Sequence, residues 1–114
     1  MATPQTKIDN MDHWYLDGLA GFIHAIEAAE KTNKLDEVQN FAEVLNWSFT
    51  KFGLAASELA EDEKISKAAI SKWVNGHALP SAPTRKTVIN WIKSKLQAQL
   101  DSLHATPSRM SRMV

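Results

Sequence analysis

The stretch ISKAAISKWVNG, Ile65–Gly76, packs two serines, two lysines and a tryptophan around small and branched apolar residues. Read at helical spacing, Ile70 and Trp73 stand three apart and share one face, which marks that face as core. Ser66 sits just before the helical run, where a hydroxyl accepts from a free backbone N–H and caps the helix. Lys67, Ala68, Ser71 and Lys72 are left pointing outward. Asn75–Gly76 then supplies the residue types that end a helix.

Upstream, Leu59 and Ala60 fall on the inner face of a second short helix near Ala56–Glu63. Ala60 is small enough for a neighbouring helix to cross over it, and Ile65 plugs the turn between the two. Two short helices joined by a tight turn are the layout of a helix-turn-helix.

The remaining chain reads as helix throughout. Trp14, Leu16, Leu19, Phe22, Ile23 and Ile26 recur at helical spacing from Asn10 to about Lys31, with Asp9 or Asn10 as N-cap. Gly18 and Gly21 interrupt that pattern, as if to admit another helix closely. Asn33 suits a C-cap. A second helix is predicted from Leu35 or Asp36 to Lys51, with Val38, Phe41, Ala42, Leu45, Trp47 and Phe49 as its apolar members and Gly53 ending it. After the loop GHALPSAP, a last helix over Thr84–Leu103 carries the stripe Val88, Ile89, Ile92, Leu96, Leu100 and Leu103. No segment alternates with period two, so the expected class is all-α. The expected organisation is a lead-in over residues 1–9, one helical domain over 10–104 and a disordered tail over 105–114.

Composition bounds the function. The 44% hydrophobic content is ample for a core in a chain of 114 residues. Without cysteine there are no disulfides and no thiolate metal sites. No apolar run reaches the ~18 residues that span a bilayer, and the N-terminus lacks a signal-peptide layout; a cytoplasmic protein with no membrane partner is expected. Net charge is zero but unevenly laid out. Residues 1–63 hold 4 lysines against 12 acids, whereas residues 64–114 hold 9 lysines and arginines against a single acid, Asp101. Such asymmetry points either to an anion-binding face or to two halves that neutralise each other.

Catalytic and metal signals are missing. His13, His24, His77 and His104 show no ligand spacing, so no metal or other cofactor is expected. Glu61–Asp62–Glu63 are neighbours in sequence and point in different directions on a helix, which suits a solvated helix end better than paired acid–base carboxylates. No phosphate-cradling glycine loop or nucleophile elbow occurs. The chain does not read as an enzyme.

GLAASELAEDEKISKAAISKWVNGHALPS, Gly53–Ser81, resembles the helix-turn-helix of the phage repressor and Cro class, also called the xenobiotic-response-element type. Leu59-Ala60, Ile65-Ser66, Ile70-Ser71-Lys72-Trp73, Asn75-Gly76 and Pro80-Ser81 fall in that family's register without a gap. Three positions depart from it: Ala56 where a glutamine is common, Glu63 where the residue is usually small or apolar, and Lys64 where the turn commonly has glycine. The resemblance implies a five-helix repressor-like domain, the motif at about 55–75, with an additional N-terminal helix and a long C-terminal helix. It implies that the second motif helix enters the major groove of double-stranded DNA. Ser66, Lys67, Ala68, Ser71 and Lys72 would then approach bases or phosphate. Asn75, Gly76 and His77 would lie near the backbone, and Thr84, Arg85 and Lys86 would grip phosphate.

The expected function is a sequence-specific transcriptional regulator, a repressor binding an inverted-repeat operator as a homodimer, of bacterial, plasmid or phage origin. Leu96, Leu100 and Leu103 would form a two-fold seam or else pack against the first helix of the same chain. The alternative is a protein-interaction module, an antitoxin or adaptor, that holds a protein partner through its acidic N-terminal half.

Overall fold

The structure, a computed structural model, describes the backbone of residues 11–113 and the side chains of residues 18–103. The expected lead-in over 1–9, the Asp9 or Asn10 cap, and the side chains of His13, Trp14, Leu16 and His104 lie outside the described residues. Within them the fold is all-α, without a strand. Five helices follow in order: α1 Met11–Lys31, α2 Val38–Thr50, α3 Ala56–Glu63, α4 Lys67–Val74 and α5 Ala82–Met113. No helix among the described residues is long and apolar enough to cross a membrane.

The first connection departs from expectation. Asn33 does take the left-handed conformation (φ 59°) that ends α1. Leu35 and Asp36, however, belong to a 3-10 turn, Lys34–Asp36, and Glu37 is extended before α2 begins. The turn drives Leu35 into the core, and Asn40 Nδ2 fastens it by donating to the Lys34 carbonyl at 3.0 Å and to Glu37 Oε1 at 3.1 Å.

On α2 the inward face is Phe41, Ala42, Leu45 and Ser48. Trp47, expected among the apolar core members, is 43% exposed. Helical phase explains the exchange: Phe41, Leu45 and Ser48 are spaced by four and three, while Trp47 falls two past Leu45 on the other side. Ser48 tolerates full burial because its hydroxyl donates to the Val44 carbonyl at 2.8 Å. The Trp47 indole lies instead over Phe22, 5.8 Å between centroids, and Phe22 in turn stacks on Phe52 at 4.9 Å.

Helix α5 is the spine of the core. Val88, Ile89, Trp91, Ile92 and Leu96 are buried on it, against Leu19, Ile23 and Ile26 of α1 and Leu59 of α3. Helix α2 packs on α4, where Phe41 meets Trp73 edge-on at 6.2 Å. Leu96 is fully buried and Leu100 and Leu103 are half-buried against the same cluster, so these leucines pack within the chain. Gly18 and Gly21 are exposed, with no atom within 4 Å of where a Cβ would stand. None of the described helices uses the close approach they allow.

Helix α5 also exceeds its predicted span. It starts at Ala82, ahead of Thr84, because Pro83 in a first turn needs no intrahelical N–H, and Arg85 N–H already bonds to the Ser81 carbonyl at 2.8 Å. It runs to Met113, through the segment expected to be a disordered tail from residue 105. Loss of apolar periodicity signals loss of a packing partner, but an existing helix gains one hydrogen bond per added residue other than Pro107 and does not require one.

Candidate nucleic-acid interface

Helices α3 and α4, eight residues each, are linked by Lys64, Ile65 and Ser66. Lys64 adopts φ 55° and ψ 48°, a left-handed conformation usually left to glycine. The Ile65 N–H bonds back to the Ala60 carbonyl at 3.0 Å, which closes α3 and turns the chain. The turn therefore has the geometry its sequence position calls for, with lysine carrying the strain. Ser66 Oγ accepts from the Ala69 N–H at 3.1 Å and caps α4.

The far end of α4 is closed by a Schellman motif. Gly76 N–H bonds to the Trp73 carbonyl at 3.1 Å and His77 N–H to that of Lys72 at 2.8 Å, with Gly76 at φ 73°. Asn46 of α2 holds the same end: its Nδ2 donates to the Val74 carbonyl at 2.9 Å and to that of Ala42 at 3.0 Å. Helix α4 is thus pinned at both ends, with Ile70 and Trp73 buried between.

What this leaves outside is a continuous row. Ser66, Lys67, Ala68, Ser71, Lys72, Asn75 and His77 are all exposed, and Gly76 is half-buried beneath them. No acid lies on α4 or in its flanking turn residues. Asn75 Nδ2 points back along the helix to Ser71 Oγ at 3.3 Å, a pairing that four-residue spacing allows but does not by itself announce.

The residues expected at the start of α5 are placed differently. Arg85 is engaged inside the chain: Nη1 donates to the Pro80 carbonyl at 2.8 Å and Nη2 to Asp36 Oδ1 at 3.0 Å. Thr84 is half-buried and its Oγ1 accepts from the Ser81 hydroxyl at 3.2 Å. Lys86 is exposed, in a groove shared with Glu30 and Asp36. The structure therefore leaves Ser66, Lys67, Ala68, Ser71, Lys72, Asn75 and His77 exposed along α4 and its ends, and sets Thr84 and Arg85 to bonds within the chain.

Electrostatics sharpen that division. Lys93 pairs with Glu30 at 2.6 Å, and Lys95 reaches Glu58 at 3.3 Å and Asp62 at 3.7 Å. Asp62 also accepts from the buried Trp91 indole N–H at 2.9 Å. Arg85, Lys93 and Lys95 of α5 are thus held by acids of the first half of the chain. Among the described residues Lys64, Lys67, Lys72 and Lys86 enter no salt bridge. Lys64 stands out in the sequence only for its backbone position, and it is exposed in the turn before α4.

No family model, curated protein or solved structure matches this chain.

Proposed function

We propose that this chain binds double-stranded DNA through α4, as a transcriptional regulator of the repressor type acting in the cytoplasm of a bacterium or on behalf of a phage. One observation carries the reading: Arg85, Lys93 and Lys95 of α5 are paired internally, while Lys67 and Lys72, exposed on a helix that itself carries no acid, enter no salt bridge, although Lys67 shares a groove with Glu58 and Glu61 of α3. A helix held at both ends by its caps and on one side by Ile70 and Trp73 presents the other side rigidly, as a groove-reading element must. The free amides at the α4 N-terminus favour a phosphate beside Lys67. The resemblance of Gly53–Ser81 to the repressor and Cro class supports the same reading. In it, two protomers set their α4 helices about one DNA turn apart on an inverted repeat.

Titration of a labelled duplex pool with the protein at rising salt tests this. Affinity should fall steeply as counterions are released. Lys67→Glu with Lys72→Glu should abolish binding while helical content stays unchanged. Binding that survives the double reversal refutes the α4 face.

A second reading rests on Trp47. With Phe22, Ala25, Ile26, Val44 and Glu43 it lines a surface groove of ≈ 280 Å³ between α1 and α2. An exposed tryptophan with Glu43 beside it and Lys51 Nζ 5.5 Å from its ring centroid suits a protein partner, which would make the fold an adaptor or antitoxin. Trp47→Ser would then impair partner capture without touching duplex binding.

A further inference from the structure

We infer that α4 reads a guanine-rich half-site, because the exposed side chains within its Lys67–Val74 span offer hydrogen-bond donors almost exclusively; the inference rests on the DNA-binding reading above. Lys67 and Lys72 carry ammonium groups, which donate and never accept. Ala68 offers only a methyl group. No Asp, Glu, Asn or Gln occurs from Ile65 to Val74.

Within that span Ser71 is the one ambivalent group, while Ser66, Asn75 and His77 at the helix ends carry acceptors as well. Hydroxyls inside helices commonly donate to the carbonyl four residues back. Ser48 and Thr50 of α2 do so here, to Val44 and Asn46 at 2.8 and 2.6 Å. Ser71 makes no such bond to Lys67 among the described hydrogen bonds. Its oxygen accepts from Asn75 Nδ2 instead, at a long 3.3 Å. With one lone pair so occupied and its proton uncommitted, the Ser71 hydroxyl keeps its donor for an outside acceptor, beside one remaining lone pair.

The major-groove edges differ in how they answer such a face. Guanine presents two acceptors, N7 and O6. Adenine and thymine each present one acceptor, thymine with a methyl group beside it. Cytosine presents only a donor. A row of donors at Lys67, Ser71 and Lys72 therefore matches consecutive guanines on one strand and is mismatched by their cytosine partners. The Ala68 methyl suits a neighbouring thymine. Asn75 is a positioning residue in this scheme: it acts on the base through Ser71.

The experiment is selection of bound duplexes from a random pool, followed by anisotropy measurements on the winner with 7-deazaguanine at each guanine in turn. The half-site should be enriched in guanines on one strand. Removing a contacted N7 should weaken binding about tenfold. Ser71→Ala and Asn75→Ala should each reduce guanine-over-adenine preference at the same base pair, about three- to tenfold. The double variant should lose no more than the single ones. Circular dichroism shows whether each variant keeps its fold.

A selected site without guanine enrichment, or 7-deazaguanine duplexes that bind as tightly as the parent, overturns this inference while leaving DNA binding standing. Absence of binding to any duplex at low salt overturns both.

Discussion

The turn before α4 makes a sharp prediction about one backbone angle. Lys64 at φ 55° and Gly76 at φ 73° bracket α4 in left-handed conformations, one held by a lysine and the other by glycine. A side chain with a Cβ costs about 1–2 kcal/mol there. Glycine avoids that cost but loses about 0.4–1 kcal/mol more on folding, through its freer unfolded chain. The difference favours glycine by about 0.8 kcal/mol, which is about 3–6 °C in melting temperature for a domain of this size. The Lys64→Gly protein should therefore be more stable than the Lys64→Ala protein by that amount, and the wild type should exceed Gly76→Ala similarly. At position 76 an added Cβ would stand 3.2 Å from Gln39 Nε2, the far end of an exposed side chain, so crowding adds little.

Comparing Lys64→Gly with Lys64→Ala removes the lysine in both, so its charge at the α3 C-terminus cancels. The right-handed control is Ala98→Gly on the exposed side of α5, where the same exchange should cost about 1 kcal/mol. Thermal unfolding followed by circular dichroism reads all four variants. The sign must reverse between position 98 and positions 64 and 76. If Lys64→Ala matches or exceeds Lys64→Gly in stability, the turn is not left-handed and the placement of α4 falls with it.

Two further perturbations probe what fixes α4 and α3. Asn46→Ala frees the Val74 carbonyl at the end of α4 and should cost about 1–2 kcal/mol. Asn46→Asp should cost more, since a carboxylate would face two carbonyl oxygens; equal midpoints in urea for the two variants would exclude the bridge. Asp62→Ala strands the indole N–H of Trp91, which is 6% exposed, and should cost about 1–3 kcal/mol. Asp62→Asn keeps an acceptor oxygen and should recover most of that loss, read as the urea midpoint at unchanged slope.

What can be read from sequence is local. Ile70, Trp73, Ser66 and Gly76 lie within a dozen residues, and helical spacing alone assigns each its face or cap. The α2 face is harder because residue type and phase disagree at Trp47 and Ser48, and phase wins. Leu35 falls in a different element from the one expected, because an apolar residue one turn before a helix looks the same from a 3-10 turn as from the helix itself. The role of Arg85 is not legible at all. Its acid, Asp36, is 49 positions away, and no spacing rule connects them. The pairs Lys93–Glu30 and Lys95–Glu58 are just as remote.

Those remote pairs change what the charge asymmetry means. Read along the chain, the basic second half looks like a surface or a complement to the acidic first half. In the fold it is both, divided largely by helix: α5 neutralises acids of α1, α3 and the 3-10 turn, and α4 with its turn keeps its lysines free. Among the described residues of that second half, the cations outside any salt bridge are Lys64, Lys67, Lys72 and Lys86. At ~8 Å of screening length in physiological salt they act on what touches them and steer little from afar. If each neutralises one phosphate, these four cations contribute about −3.6 to the log–log salt slope of one protomer, and about −7 to that of a two-fold dimer. The smaller number belongs to one protomer bound alone. The proposed reading sets two copies on one inverted repeat and so predicts the larger number. A slope near −3.6 on an inverted repeat, with one protomer bound per duplex at saturation, would show that α4 touches DNA without the pairing that repression of an operator demands.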